Sequence, residues 1–248
     1  MSEQTTSSNS DYWAVVPAAG IGRRMNSSIP KQYLKIKGRE VLAWTLESLQ
    51  SFDKLRGIIL VLHPEDRYFQ EHLASSFPNI VCVEGGAERL HSVAAGLSAV
   101  QERGADHDWV LVHDAVRPCL HPDDLHRLID ALEGESAGGI LALPVSDTLK
   151  QADSLQQVSA TLPRENYWLA ATPQMFRLGP LLKATNQALE VGHLATDEAA
   201  TMEQMAYPVK LVAGRRDNIK ITSAEDLALA EFILQQHVLA DSAAIPRY

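Results

Sequence analysis

Across 248 residues there are only two cysteines, Cys82 and Cys119, and no CxxC pair. A disulfide framework and a thiolate metal site both lack support, so two free thiols in a reducing cytoplasm are the expectation. Apolar runs are short, and none approaches the ~18 residues that a membrane-spanning helix needs, so no membrane is expected as a partner. Cations are outnumbered, 22 Lys and Arg against 31 Asp and Glu, giving a formal charge of -9. A nucleic-acid binder normally presents a basic face, so no nucleic acid is expected either, and any phosphate chemistry must be local. GxSxG, HExxH and a Walker-type glycine loop ending in Lys and Ser or Thr are all missing. Serine-hydrolase, zinc-protease and P-loop readings therefore have no support. The opening "MSEQTTSSNS" has neither the basic start nor the apolar centre of a signal peptide. Residues 1–11 are expected to be a flexible tail, and 241–248 a second one.

What is present is an alternation. Short apolar runs at 12–17, 57–63, 80–85, 109–114, 138–145, 167–176 and 209–214 are separated by amphipathic stretches at 41–51, 64–76, 88–103, 122–133, 178–191 and 223–240. Near-continuous apolar strands with helices between them predict an α/β fold: a mostly parallel twisted sheet covered on both faces. One domain over 12–240 accommodates all of it. Pro64 and Pro122 suit first-turn helix positions, where a missing N–H costs nothing. Ser223 is a candidate cap for the last helix, whose Leu227, Ala230 and Leu234 fall on one face. The polar stretch "SDTLKQADSLQQVSATLPR" (146–164) breaks the pattern. Its "ADS" turn signal predicts a hairpin with little core of its own, a β-arm at about 146–166 suited to serving a partner.

The first strand runs into "PAAGIGRRM" (17–25). In open α/β sheets ligands gather beyond the carboxyl ends of strands, and Gly20 and Gly22 would let backbone N–H groups approach phosphate oxygens. A dinucleotide fold would place a small residue where Met25 stands. Arg23, Arg24 and Lys31 instead crowd three cations and two glycines into twelve residues of an acidic chain, which predicts a highly charged anion as ligand. A solvated basic loop is the plainer reading of the glycines alone.

Asp114 in "VHDAVRP" directly follows the strand "WVLV". It can offer a hard oxygen to Mg²⁺, or simply cap a turn. Arg117 supplies a phosphate-binding fork beside it. His113 reads as packed or hydrogen-bonded rather than catalytic. Lys220, between two isoleucines in a short apparent strand, reads in isolation as snorkelling to solvent. Thr196 in "ATDEAATME" reads as a helix cap that also faces a ligand.

Taken together, "PAAGIGRRM", "PKQYL", "GGAERLHSV", "VHDAVRP", "DTLK", "TPQMF", "TDEA" and "NIKIT", in this order over about residues 12–236, resemble the 2-C-methyl-D-erythritol 4-phosphate cytidylyltransferase family of the non-mevalonate isoprenoid pathway. The resemblance implies a Rossmann-like nucleotidyltransferase fold with a protruding β-arm, CTP and methylerythritol phosphate as substrates, Mg²⁺ as cofactor, and a homodimer joined through the arm. Matched by position, Arg24, Lys31 and Lys220 are the catalytic cations and Asp114 the metal ligand. Ala18, Ala19, Gly20, Gly22, Gly86, Ala87, Ser92 and Ala115 hold the nucleotide; Arg117, Thr148, Arg164, Thr172 and Thr196 hold the methylerythritol phosphate. Val116 stands where many relatives have alanine, a departure expected to leave activity intact. A ribitol-5-phosphate cytidylyltransferase shares the fold and most of these motifs, differing in the polyol pocket. A non-catalytic nucleotide-binding regulator would have no need of Lys31 or Asp114.

Overall fold

The structure is a computed structural model that describes residues 10–20, 29–193 and 195–244. Strand β1 (Tyr12–Pro17) leads to a small ribbon of β2 (Lys35–Ile36) and β3 (Arg39–Glu40), then α1 (Val41–Gln50), β4 (Leu55–Leu62), β5 (Val81–Glu84) and α2 (Arg89–Gln101). Next come β6 (Trp109–Val112), α3 (Pro122–Leu132), β7 (Gly138–Pro144), the hairpin β8 (Leu149–Ala152) and β9 (Val158–Leu162), and β10 (Trp168–Arg177). The chain closes with α4 (Leu178–Glu190), α5 (Glu198–Gln204), β11 (Lys210–Ala213) and α6 (Ala224–Ala244).

Seven strands form one sheet in the order β11-β7-β10-β6-β1-β4-β5. All pairs are parallel except those of β10, which runs antiparallel to β6 and β7. The apolar runs owe their continuity to burial on both faces. Along β1, Ala14 and Val16 point into one core with Leu42, Leu46 and Leu128. Trp13 and Val15 point into the other with Val93, Leu97 and Leu181. Truncating one such leucine to alanine would cost about 2–5 kcal/mol. Gly96 lets α2 sit tightly on β1, since a Cβ there would lie 2.4 Å from Val15 Cγ1.

A third cluster, Ile36, Val116, Ile221, Ala230 and Leu234, seats α6 on the β2–β3 ribbon and on the loop before α6. The expected face of α6 is thus the packed one. Ser223 caps it as expected: its Oγ accepts the Asp226 N–H at 3.3 Å, and Asp226 Oδ2 accepts the Ser223 N–H at 2.9 Å. The helix runs through Ala244, beyond 240, as alanines favour. At the other end, Asp11 donates its N–H to Asp108 Oδ1 at 3.1 Å, and Ser10 Oγ accepts from Arg177 at 2.8 Å.

Three local expectations are corrected. Residues 64–76 are not one amphipathic helix: Pro64 sits in a turn, followed by a π-helical turn Phe69–Leu73 and a 3-10 turn Ala74–Ser76. "IKI" at 219–221 is loop rather than strand. The cap of α5 is Asp197, whose Oδ1 accepts the Ala200 N–H at 2.9 Å, and not Thr196. By contrast Pro122 occupies the first turn of α3, as its fixed φ predicts. The hairpin β8–β9 forms a separate two-stranded sheet, turned by Asp153 Oδ1, which accepts the N–H groups of Leu155 and Gln157, both at 2.9 Å.

Candidate active site

Strand order reverses at β1, which has β4 on one side and β6 on the other. A crevice beyond the carboxyl ends is the expected ligand site of such a sheet. Two adjoining cavities open there, of about 530 Å³ and about 200 Å³.

The larger is walled mainly by backbone and small side chains. Ala18, Ala19 and Gly20 follow β1, Gly86 and Ala87 follow β5, Ser92 comes from α2 and Ala115 follows β6, with Lys31 and buried Gln32 also lining it. These walls are tied from behind. Gln32 Nε2 donates to Ala18 O at 2.8 Å, and Thr45 Oγ1 donates to Ala115 O at 3.1 Å. Among the described residues, a Cβ on Gly20 would meet nothing within 4 Å, so none of them requires a glycine there.

The smaller cavity is walled largely by polar side chains, Arg117, Thr172, Gln174, Thr196 and Asp197, together with Ala170 and Ala171. Arg89, Asp114 and Lys220 line both cavities and so stand at their junction. Asp114 is the hub: Lys220 Nζ lies 2.8 Å from its Oδ2, Arg89 3.5 Å from Oδ1 and Arg117 Nε 3.6 Å from Oδ2. Burial alone would raise its pKa, but Arg89, Lys220 and Arg117 overturn that and hold the carboxyl well below the usual carboxylate range. Lys220 does keep 41% of its side chain exposed, as expected of a snorkelling lysine, but its ammonium is paired with Asp114. Arg89, to which the sequence alone assigned no role, makes a bidentate pair with buried Glu198, at 2.5 and 3.1 Å. The partners are 109 residues apart, so only the place of Arg89 within "GGAERLHSV" hinted at it.

His113 is fully buried and bridges Thr172 Oγ1 at 3.0 Å and Arg117 O at 3.1 Å. A carbonyl can only accept, so Nε2 carries the proton; Nδ1 then accepts from Thr172, whose oxygen in turn accepts the Asp114 N–H at 3.1 Å. Burial accordingly pushes the imidazole pKa down to about 4, so it is neutral scaffolding, as its sequence setting suggested.

A family model described as 2-C-methyl-D-erythritol 4-phosphate cytidylyltransferase matches residues 12–236. The enzyme of that name from Pseudomonas aeruginosa (strain UCBPP-PA14) is 47% identical over 224 residues, covering 90% of this chain and 96% of that protein. Its namesake from Photobacterium profundum is 46% identical over 227 residues, covering 90% of this chain and 96% of the other. The crystal structure of the Francisella tularensis enzyme superposes with a TM-score of 0.76 at 35% identity, over 90% of this chain and 100% of that one.

This chain belongs to the 2-C-methyl-D-erythritol 4-phosphate cytidylyltransferase family.

It is a nucleotidyltransferase with the α/β fold of that family. For a cytidylyltransferase the division of the crevice is informative. The residues matched to the nucleotide, Ala18, Ala19, Gly20, Gly86, Ala87, Ser92 and Ala115, all line the larger cavity. Of those matched to methylerythritol phosphate, Arg117, Thr172 and Thr196 line the smaller. Thr148 and Arg164 line neither; both are exposed at the hairpin base, where Arg164 bonds Ser146 O. Gly22, Arg23 and Arg24 lie outside the described residues.

A divalent cation fits the donor set in one way. Among the described residues no three His, Cys, Asp or Glu side chains converge on a metal position. Mg²⁺ characteristically uses one or two carboxylates and completes its shell with water and substrate phosphates, a mode that the ionised Asp114, where the two cavities meet, could serve.

Proposed function

We propose that this chain transfers CMP from CTP to the phosphate of 2-C-methyl-D-erythritol 4-phosphate, releasing pyrophosphate, as a Mg²⁺-dependent cytoplasmic homodimer. The observation that carries the reading is the junction: one cavity suited to a base and ribose, one suited to a small phosphorylated polyol, and Arg89, Asp114 and Lys220 common to both. The polyol phosphate attacks the α-phosphorus in line. Its second proton leaves near pH ~6, so the nucleophile is ionised at neutral pH and needs no base. A neutral, enclosed His113 outside both cavity walls agrees with that. The obstacle is anion meeting anion, which positioned cations offset. In this scheme Lys31 faces the triphosphate, Lys220 exchanges Asp114 for substrate phosphate, and Arg117 holds the polyol phosphate. Asp114 would hold the metal, which supplies further charge neutralisation on the phosphates. The free thiols of Cys82 and Cys119 suit a reducing compartment.

The homodimer rests on the hairpin. Leu155 and Val158 of the hairpin are 75% and 64% exposed, and Leu169 at the start of β10 is 59% exposed, apolar side chains for a partner to cover. Thr148 and Arg164, outside the cavities of their own chain, would complete those of the neighbour.

Pyrophosphate release, measured with each nucleoside triphosphate, tests the chemistry. CTP should be strongly preferred to ATP and GTP, with UTP rejected through hydrogen bonds to the exocyclic amine alone; comparable turnover with ATP sinks the reading. Ribitol 5-phosphate in place of the branched polyol tests the related activity. For the shared site, Lys31→Ala and Arg164→Ala chains are unfolded and refolded together in equal amounts. Half the dimers are then mixed, and a site completed in trans restores about a quarter of wild-type activity. No recovery means Arg164 acts on its own chain.

A further inference from the structure

The loop that delivers Lys220 is held from several sides. At its start, the Arg215 N–H donates to buried Asp124 Oδ1 at 3.0 Å, and Asp217 pairs with Arg215 and with His237 of α6, the latter at 3.2 Å. At its far end, the Ile221 N–H donates to Val116 O at 2.9 Å. Between these anchors lies Asn218, only 5% exposed. Its side-chain Nδ2 donates to Thr172 O at 2.8 Å, and its main-chain carbonyl accepts from Arg117 at 2.8 Å. Asn218 lines neither cavity. Yet it bonds the backbone of Thr172 and the guanidinium of Arg117, both walls of the smaller cavity, and lies two residues from Lys220 at the junction.

We infer that Asn218 is a positioning residue for the polyol-phosphate half of the site: it locks the Lys220 loop to β10 and to Arg117, so that Thr172, Arg117 and Lys220 hold one common geometry. The inference rests on the reading of the smaller cavity given above. A carboxamide suits the task because the Thr172 carbonyl needs a donor in a place closed to solvent. Aspartate has the same shape but sets an acceptor against that carbonyl, and alanine leaves it unpaired. No bond of Asn218 reaches the walls built from residues 18–20 and 86–87, so the nucleotide half should depend on it only weakly, through Lys220, which lines both cavities.

The test measures steady-state constants for both substrates in Asn218→Asp and Asn218→Ala, with CTP binding by calorimetry as a separate readout. A small displacement of positioned groups commonly costs up to about a hundredfold in rate. Accordingly, kcat/KM for 2-C-methyl-D-erythritol 4-phosphate should fall about ten- to a hundredfold, mainly through KM, while KM and Kd for CTP stay within about twofold. In an Arg117→Ala background the further effect of Asn218→Ala should be smaller than in wild type, since the side-chain bond to Thr172 O fixes the main chain whose carbonyl receives Arg117. Equal changes for both substrates, wild-type constants in Asn218→Asp, or loss of CTP binding in both variants would each overturn the inference, the last by making Asn218 a requirement of the fold. If the wild-type protein itself releases no pyrophosphate from these two substrates, the assignment of the site fails instead.

Discussion

The larger cavity presents mostly main chain and methyl groups, whereas the smaller presents charged and hydroxyl side chains that are themselves bonded to residues far away in sequence. Ala18, Gly20, Gly86 and Ala87 are placed by where strands end, and a change of side chain there alters the opening rather than the frame. Arg89 and Arg117 are placed by Glu198 and by Asn218 O, and Asp114 by its cations. The difference teaches where each half is vulnerable. A wall of backbone fails only with the sheet; a wall of side chains fails with any member of its network.

The hardest blow to the networked half should be Glu198→Ala. It removes the bidentate partner of Arg89 and leaves that partly exposed guanidinium only its contact with Asp114 at 3.5 Å, so the cost should approach but not exceed the about 3–5 kcal/mol of a broken buried pair. Urea denaturation should show a drop of that order. A stability within about 0.5 kcal/mol of wild type would mean the pair is not needed to hold the wall.

In the backbone-walled half, Lys31→Ala should lower kcat by about 10²–10³-fold with a smaller change in CTP affinity, the usual loss for one transition-state donor. Near-normal kcat with a raised KM would assign Lys31 to ground-state binding.

Third in size is an acid sensitivity confined to the network. The folded pKa of His113, about 4, lies below its unfolded value of 6.5, so the unfolded chain takes up the proton first. This contribution is fully present above pH 6.5 and declines as pH falls toward 4, by about 3 kcal/mol in all. Asp114, with its pKa depressed from 3.8, loses its contribution only below that range. The stability difference between wild type and His113→Gln should therefore shrink across this window; a pH-independent difference would contradict the buried neutral ring.

The smallest effect on the fold should come from Gly20→Ala. Gly20 is not among the described glycines with positive φ, and no described residue comes within 4 Å of its would-be Cβ, so stability should stay within about 0.5 kcal/mol. KM for CTP should nevertheless rise, since the added methyl intrudes where phosphate would approach. Unchanged CTP constants would remove the argument that the bare backbone serves the nucleotide.

The same contrast governs what a reader of the sequence can see. Both faces of β1 and β6 are buried, so their apolar runs announced the sheet, and the segment after β1 announced the larger cavity. Asp114 was legible because it follows such a run directly. Arg89 was not, because its meaning depends on Glu198 across the fold. "IKI" imitates strand alternation: Ile221 drops into the third core cluster while Lys220 turns to Asp114, a two-sided placement that a loop achieves equally well. The cap of α5 was misplaced by one residue because Thr196 and Asp197 are both competent caps, and only the geometry chooses.

Consider finally the cations around Asp114 from the position of a diffusing substrate. The protein as a whole carries a charge of -9, and both reactants are polyanions. Beyond a screening length of about 8–10 Å at physiological salt, an approaching phosphate meets the field of the whole acidic body; only inside that distance do Arg89, Arg117 and Lys220 dominate. Capture is therefore uphill before it is downhill. Moderate salt should thin the outer repulsion before it weakens the sheltered inner attraction, so the association rate constant should first rise with ionic strength, the reverse of a protein that steers its ligand from afar.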